Sequence, residues 1–214
     1  LLLQAEALGI PHAGGLLMLV AQAKRASELF TGSAIADTRI GEIYRTLAVQ
    51  MQNIVLVGMP GCGKSSIGTR LAERLDRPFV DADAEIEKAA GMPIPEFFRL
   101  YGEAAFRDLE SRVLAELGKR SGAVVATGGG AVLRPENVAA VKETGLLIHL
   151  DTPFYRILKN LSYSNSRPLL NRPDKQAETR RLYNARKAIY HRVSDTSVRS
   201  PKLSEVLDKV VKSV

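Results

Sequence analysis

Gly58 and Gly63 are separated by four residues and followed by Lys64 and Ser65, in the run GMPGCGKSS. Glycines at that spacing let a backbone wrap until successive N–H groups point inward at one anion. A lysine behind them reaches the outer phosphates of a nucleoside triphosphate, and the serine hydroxyl suits a magnesium ion on those phosphates. The apolar run NIVLVG precedes the loop. Lys64–Leu75 follows it, with Ile67, Leu71 and Leu75 at helical spacing. The competing meaning, a glycine-rich turn that only caps a helix, is outweighed by that strand and helix together. Gly58, Gly61, Cys62, Gly63, Lys64, Ser65 and Ser66 are therefore the expected phosphate contacts. Cys62 fills a position where the backbone matters; no catalytic part is expected of it, although thiol reagents should inhibit by blocking the loop.

Three other groupings could take part in chemistry. FVDAD places Asp81 and Asp83 two residues apart where a strand ends, and strand alternation sends both to one face. One carboxylate can hold a magnesium shell and the other an acceptor hydroxyl, whereas an isolated acid pair there more often caps a helix. GEAAFRDLE sets Arg107 and Glu110 three apart on one helix face, a spacing that usually means a solvated ion pair. TGGG, at Gly128–Gly130, follows an apolar strand, so its backbone can approach a ligand closely. Arg167 in RPLL, with Arg186 and Arg192 in RKAIYHR, adds forks suited to carboxylate or phosphate.

These residues need elements to position them. Strands are expected in NIVLVG, PFVDAD, GAVVAT, GLLIHL and TSV. Helices are expected at Lys64–Leu75, Asp83–Ala90, Pro95–Tyr101, Glu103–Lys119, Pro135–Glu143, Pro153–Leu161, Gln176–Arg192 and Leu203–Val210. SYSNSRPLLNRPD is polar and broken by proline, and reads as a mobile loop. Alternation of this kind implies an α/β fold, a parallel sheet covered by helices on both faces.

Composition narrows the partners. The 214 residues are 45% hydrophobic and 25% charged, ordinary for a globular chain with a substantial core. The single cysteine precludes an internal disulfide and suits a reducing cytoplasm. Net charge is +7, and the segment 156–202 alone holds twelve basic and three acidic residues. Such a block favours a polyanion. It lacks the interleaved aromatics of a base-stacking surface, so a nucleotide with an acidic substrate is preferred to nucleic acid. Neither LLLQAEALGI nor GLLMLVAQAKR is long enough to span a bilayer, and neither has the basic start of a leader. The opening at Leu1 rather than Met suggests a piece of something longer.

Taken together, GMPGCGKSSIG, FVDADAEIE, FRLYGEAAFRDLE, VVATGGGAVL, RPLL and ARKAIYHRVSD resemble the shikimate kinase family, in its order and roughly its spacing, from Met51 to about Pro201. The resemblance implies ATP-dependent phosphorylation of shikimate at its 3-hydroxyl, on the chorismate route to aromatic amino acids. It implies a P-loop kinase fold, a five-stranded parallel sheet of order 2-3-1-4-5 with a mobile lid. It gives Asp83 the shikimate hydroxyls and the part of base or orienter. Asp81 and Ser65 would hold Mg²⁺, and Arg107 and Arg186 the shikimate carboxylate. Gly129 and Gly130 would offer backbone to the same substrate. Arg167 would neutralise charge on the transferring group and touch ATP with Lys64. The adenine loop would lie near Arg199-Ser200-Pro201. Phe98 and Phe106 would wall the substrate pocket or simply belong to the core. Where the family often stacks an arginine on adenine, this chain has Asn160, which implies a weaker hold on the base. Another small P-loop kinase, acting on gluconate or a nucleoside monophosphate, shares the loop and lid logic. A non-catalytic kinase-like module stays open as well.

Ahead of this, GIPHAGGLLMLVAQAKRASELFTG has a helical apolar face from Leu16 to Phe30. It resembles the C-terminal end of shikimate dehydrogenase, with Gln22 at that family's substrate-contacting glutamine. No dehydrogenase activity is expected, because that family's catalytic segments and glycine-rich NADP loop are absent. The expected organisation is a remnant over 1–32, a linker over 33–50 and a kinase domain over 51–214, from a dehydrogenase–kinase fusion.

Overall fold

The computed structural model of the chain describes residues 8–9, 15–162, 175–199, 204, 207 and 208. They fall into two compact units, Leu1–Gln52 and Asn53–Val214.

The described residues of the first unit include the helices α1 (Gly15–Thr31) and α2 (Thr38–Met51). The stretch read as a linker is thus mostly helical. The reason is its pattern: Ile40, Gly41, Tyr44, Leu47 and Ala48 recur at helical spacing and are the partly buried residues of α2. The Glu28 carboxylate ties the connection, accepting from the Ile35 N–H at 3.0 Å and pairing with Lys24 at 3.1 Å. Val20 is buried, whereas Leu17, Met18, Leu19, Leu29 and Phe30 are exposed.

The second unit begins with β1 (Asn53–Val57), just after Met51 at the end of α2. Then come α3 (Lys64–Leu75), β2 (Phe79–Asp81), α4 (Ala82–Ala90), α5 (Ile94–Gly118) and β3 (Val124–Ala126). A 3₁₀ turn at Ala131–Leu133 leads to α6 (Pro135–Lys142), β4 (Gly145–Leu150), α7 (Phe154–Ser162), α8 (Lys175–Val193) and β5 (Thr196–Val198). The five strands form one parallel sheet of order β2-β3-β1-β4-β5, the expected order. α5 is two helices joined at Gly102, whose φ of 77° interrupts the helical path, as the separate expectations for 95–101 and 103–119 required.

β1 is central, and Ile54, Leu56 and Val57 are at most 1% exposed. Helices on both faces make its apolar run continuous rather than alternating. Asn53 staples the N-terminal edge of the sheet. Its Nδ2 donates to the Arg120 carbonyl at 2.6 Å and to Thr144 Oγ1 at 2.9 Å, and its Oδ1 accepts from the Ala123 N–H at 2.9 Å. The chemistry gathers at the opposite edge, where β1, β2, β3 and β4 end. In a parallel α/β sheet that edge carries the ligand crevice.

Candidate active site

The loop between β1 and α3 wraps as its glycines allow. Gly58, Gly61 and Gly63 have φ of 145°, 78° and 97°, a region that L side chains rarely enter. At Gly61 a Cβ would also lie 2.8 Å from Leu161 Cγ. Lys64 opens α3 and is buried; its Nζ donates back to the Gly58 and Met59 carbonyls at 2.9 and 3.0 Å. Those carbonyls keep the ammonium satisfied and aimed across the loop. Cys62 is buried, with Sγ 3.7 Å from Lys64 Nζ.

Ser65 Oγ donates to Asp81 Oδ2 at 2.7 Å. The other Asp81 oxygen accepts from the Asp83 N–H at 3.0 Å and caps α4. The expectation that strand alternation puts both acids on one face is corrected here. The strand stops at Asp81, and Asp83 belongs to the first turn of α4. One aspartate thus serves as helix cap and as partner of the loop serine at once. Gly61, Gly63, Lys64, Ser65, Ser66, Asp81, Asp83, Thr127, Asn160 and Leu161 line a cleft of about 340 Å³.

Gly128–Gly130 are the hub of the other half. None has positive φ among the described glycines, so space rather than backbone freedom requires them. At Gly128 a Cβ would meet Asp83 Oδ1 at 2.9 Å and Glu110 Oε1 at 3.0 Å. At Gly129 it would press on Pro60 of the phosphate loop at 2.6 Å, and at Gly130 on the Arg107 guanidinium. The Gly129 carbonyl accepts from Arg186 Nη1 at 3.3 Å and from the Tyr190 hydroxyl at 2.5 Å. Asp83, Arg107, Arg186 and the glycines are therefore brought together, directly against the phosphate loop.

The Arg107–Glu110 pair is not the solvated contact that its spacing usually signals. Glu110 is 1% exposed and accepts from Arg107 Nη1 at 2.8 Å; Glu103 adds a second contact to Arg107 at 3.1 Å. Burial pushes the Glu110 carboxyl up, the Arg107 guanidinium opposes this, and the Asp83 charge pushes the same way as burial; the net direction is upward. Burial lowers the Arg107 value, but Glu110 and Glu103 outweigh it and hold the guanidinium firmly charged. A fixed cation close to the Asp83 carboxylate offers an anion partner and a hydrogen-bond acceptor side by side.

Phe98 and Phe106 lie 4.5 Å apart with tilted rings; Phe106 is buried with Ile86 and Leu109, and the partly buried Phe98 packs against that core cluster. Arg199 lies beyond β5, 3.9 Å from Asp151, and does not line the cleft. Arg167 lies outside the described residues, as do Ser200 and Pro201. Sequence reasoning missed Thr127 and Tyr190. The tyrosine had a signal, since Arg186 and Tyr190 are four apart on α8 and both reach the Gly129 carbonyl. Asn160, noticed only as a departure, donates to the Gly61 carbonyl at 2.7 Å.

Among the described residues no helix is long and apolar enough to cross a membrane, and no three His, Cys, Asp or Glu side chains gather as a metal site.

Comparison with known proteins agrees with this geometry. A family model described as shikimate kinase matches residues 60–214. A shikimate kinase of Nitrobacter winogradskyi is 50% identical over 173 residues, covering 79% of this chain and 80% of that protein. One of Neisseria meningitidis serogroup C is 40% identical over 159 residues, covering 74% of this chain and 94% of the relative. The solved structure of shikimate kinase from Acinetobacter baumannii in complex with shikimate superposes with a TM-score of 0.72 at 35% identity, covering 78% of this chain and 93% of that one. With the phosphate loop, the acid pair and the glycine turn in the places described, the chain belongs to the shikimate kinase family.

Proposed function

We propose that this chain transfers the γ-phosphoryl group of ATP to the 3-hydroxyl of shikimate, giving shikimate 3-phosphate and ADP. The observation that carries the reading is the Gly128–Gly130 turn. It touches Asp83, Glu110, Arg107 and Arg186 on one side and Pro60 of the phosphate loop on the other. Phosphoryl transfer asks a protein for positioning and charge neutralisation more than for covalent chemistry.

Loop N–H groups and the start of α3 hold the triphosphate. Lys64 Nζ exchanges the Gly58 and Met59 carbonyls for the β- and γ-phosphates. Asp83 orients the 3-hydroxyl and accepts its proton as the oxygen attacks phosphorus and the bond to ADP breaks. Arg107, braced by Glu110, and Arg186 hold the shikimate carboxylate, with Gly129 and Gly130 offering backbone beside them. Arg167 is assigned to charge on the transferring group, and Arg199 to the adenine side. Ser65 Oγ and Asp81 Oδ2, already 2.7 Å apart, are hard oxygen donors. They fit Mg²⁺, which is usually held by one or two protein oxygens plus phosphates and water. When bound, that ion neutralises the phosphate charge.

The test is ADP release with ATP and each of shikimate, gluconate and a nucleoside monophosphate. Shikimate alone should be turned over; turnover of gluconate and not shikimate would reverse the choice. Lys64→Ala and Asp83→Asn should each lower kcat by about a hundredfold or more, and unchanged turnover in either removes the assigned role.

The same reading places the reaction in the cytoplasm, supported by the single cysteine. It also takes residues 1–32 as the end of a shikimate dehydrogenase covalently joined to the kinase, 33–50 as the join and 51–214 as the kinase domain. The resemblance of GIPHAGGLLMLVAQAKRASELFTG supports that, as does the division of the chain between Gln52 and Asn53. The gene upstream of Leu1 decides it: a dehydrogenase reading frame is expected, and a stop codon there ends the idea.

A further inference from the structure

A loop that turns its N–H groups toward an anion must turn carbonyls away from it, and each outward carbonyl needs a donor. Here each has one. Gly58 and Met59 are served by Lys64 Nζ at 2.9 and 3.0 Å. The Gly61 carbonyl accepts from Asn160 Nδ2 at 2.7 Å, and the Cys62 carbonyl from Thr152 Oγ1 at 3.0 Å. The two kinds of donor differ in one respect. Lys64 is a phosphate ligand and abandons its carbonyls when nucleotide arrives. Thr152 and Asn160 are not required by the phosphates and can stay.

Both come from one stretch of chain. Thr152 sits just past the end of β4, and Asn160 lies near the end of α7. α7 also packs against the loop through Leu161, which closes on Gly61. In a trans peptide the carbonyl and the next N–H point opposite ways. Holding the Cys62 carbonyl outward therefore holds the Gly63 N–H toward the cleft, which Gly63 lines. Holding the Gly61 carbonyl on Asn160 turns the Cys62 N–H the opposite way, where it closes the turn on the Met59 carbonyl at 3.1 Å.

We infer that Thr152 and Asn160 are positioning residues for the phosphate loop, a clamp from the β4–α7 segment that keeps the loop shaped for phosphate when Lys64 lets go. Asn160 acts on the phosphate end of the nucleotide, not on its base. This rests on the reading of the cleft as a nucleotide site.

The experiment measures binding of ADP, GDP and inorganic pyrophosphate by calorimetry, alongside steady-state kinetics. Asn160→Ala and Thr152→Val should each weaken all three ligands by the same factor, about three- to tenfold, the size of one lost hydrogen bond. Asn160→Asp, which sets a carboxylate against the Gly61 carbonyl, should weaken them further, and Thr152→Ser should restore binding. KM for ATP should rise while KM for shikimate and the thermal midpoint stay put. Unchanged pyrophosphate binding in both Asn160→Ala and Thr152→Val overturns the clamp. So does weakening of ADP in Asn160→Ala with pyrophosphate untouched, the mark of a base contact. Wild-type protein that binds neither ADP nor pyrophosphate overturns the nucleotide reading itself, and the clamp with it.

Discussion

Gly130 carries no side chain because the Arg107 guanidinium occupies the place where a Cβ would sit. Gly129 has the Pro60 ring 2.6 Å from the same virtual atom, and Gly128 has two carboxylates. The three neighbours differ in how easily they move. A guanidinium is the far end of a long side chain, while Pro60 is part of the loop backbone. Gly130→Ala should therefore displace Arg107 and leave the fold alone. The expected outcome is a KM for shikimate higher by about an order of magnitude, since a misplaced clamp of this kind forfeits much of the positioning. KM for ATP and the thermal midpoint should not change. Kinetics with a melting curve checks this; a lowered midpoint with normal KM would mean that the glycine serves packing only.

At the scale of elements, β4 carries a titratable group that no phosphate chemistry uses. His149 is 3% exposed, stacks on Tyr190 of α8 at 5.2 Å, meets His191 edge-on at 4.7 Å and contacts Ser197 of β5 at 3.3 Å. Burial lowers its pKa from 6.5 to about 4, helped by the charges of His191, Lys187 and Lys64 and opposed by Asp151. The folded value lies below the unfolded one, so the unfolded chain binds the extra proton between those limits. Stability from this group is complete above about pH 6.5 and is lost as pH falls toward 4. The loss is at most on the order of 3 kcal/mol. His149→Phe keeps the stack and removes the titration, so its denaturation midpoint should fall less steeply between pH 7 and 4.5 than that of the wild type. Parallel slopes would exclude His149 as the source. The start of α4 makes a similar point without titration. Asp81 is cap and serine partner together, so the end of β2, the start of α4 and the start of α3 share one carboxylate.

Across the molecule, the sheet keeps stability and chemistry at opposite edges. Asn53 joins the starts of β1 and β3 to the Thr144 turn before β4 through three hydrogen bonds, and it is 1% exposed. Asn53→Leu should fit the volume and leave the Ala123 N–H and the Arg120 carbonyl without their partner. A cost on the order of 3 kcal/mol is expected from buried groups left unpaired. Urea unfolding should show a lower midpoint with KM for both substrates intact in the folded protein. A neutral effect would mean that water replaces the amide.

The phosphate loop and the strand–helix alternation were legible in the chain itself, the first from local spacing and the second from periodicity. The strand order was implied by the family resemblance, because periodicity does not say which strands pair. Arg107, Arg186, Asp83 and the glycine turn could be named because each sits in a short motif, and only the family resemblance gave them one substrate in common. Three things depended on distant partners. Glu110 looks like a surface pair from its spacing, and only the packing of α5 against Gly128 buries it. Asp81 looks like either cap or ligand, and only the arrival of Ser65 makes it both. Asn160 reads as a missing stacking arginine, whereas the fold sets its amide 2.7 Å from a loop carbonyl ninety-nine residues earlier. Sequence alone determined which backbone can cradle phosphate, because a glycine pattern constrains its own φ and ψ. Which side chains serve that cradle was decided by the closing of the sheet, because a hydrogen bond depends on distance in space and not on separation along the chain.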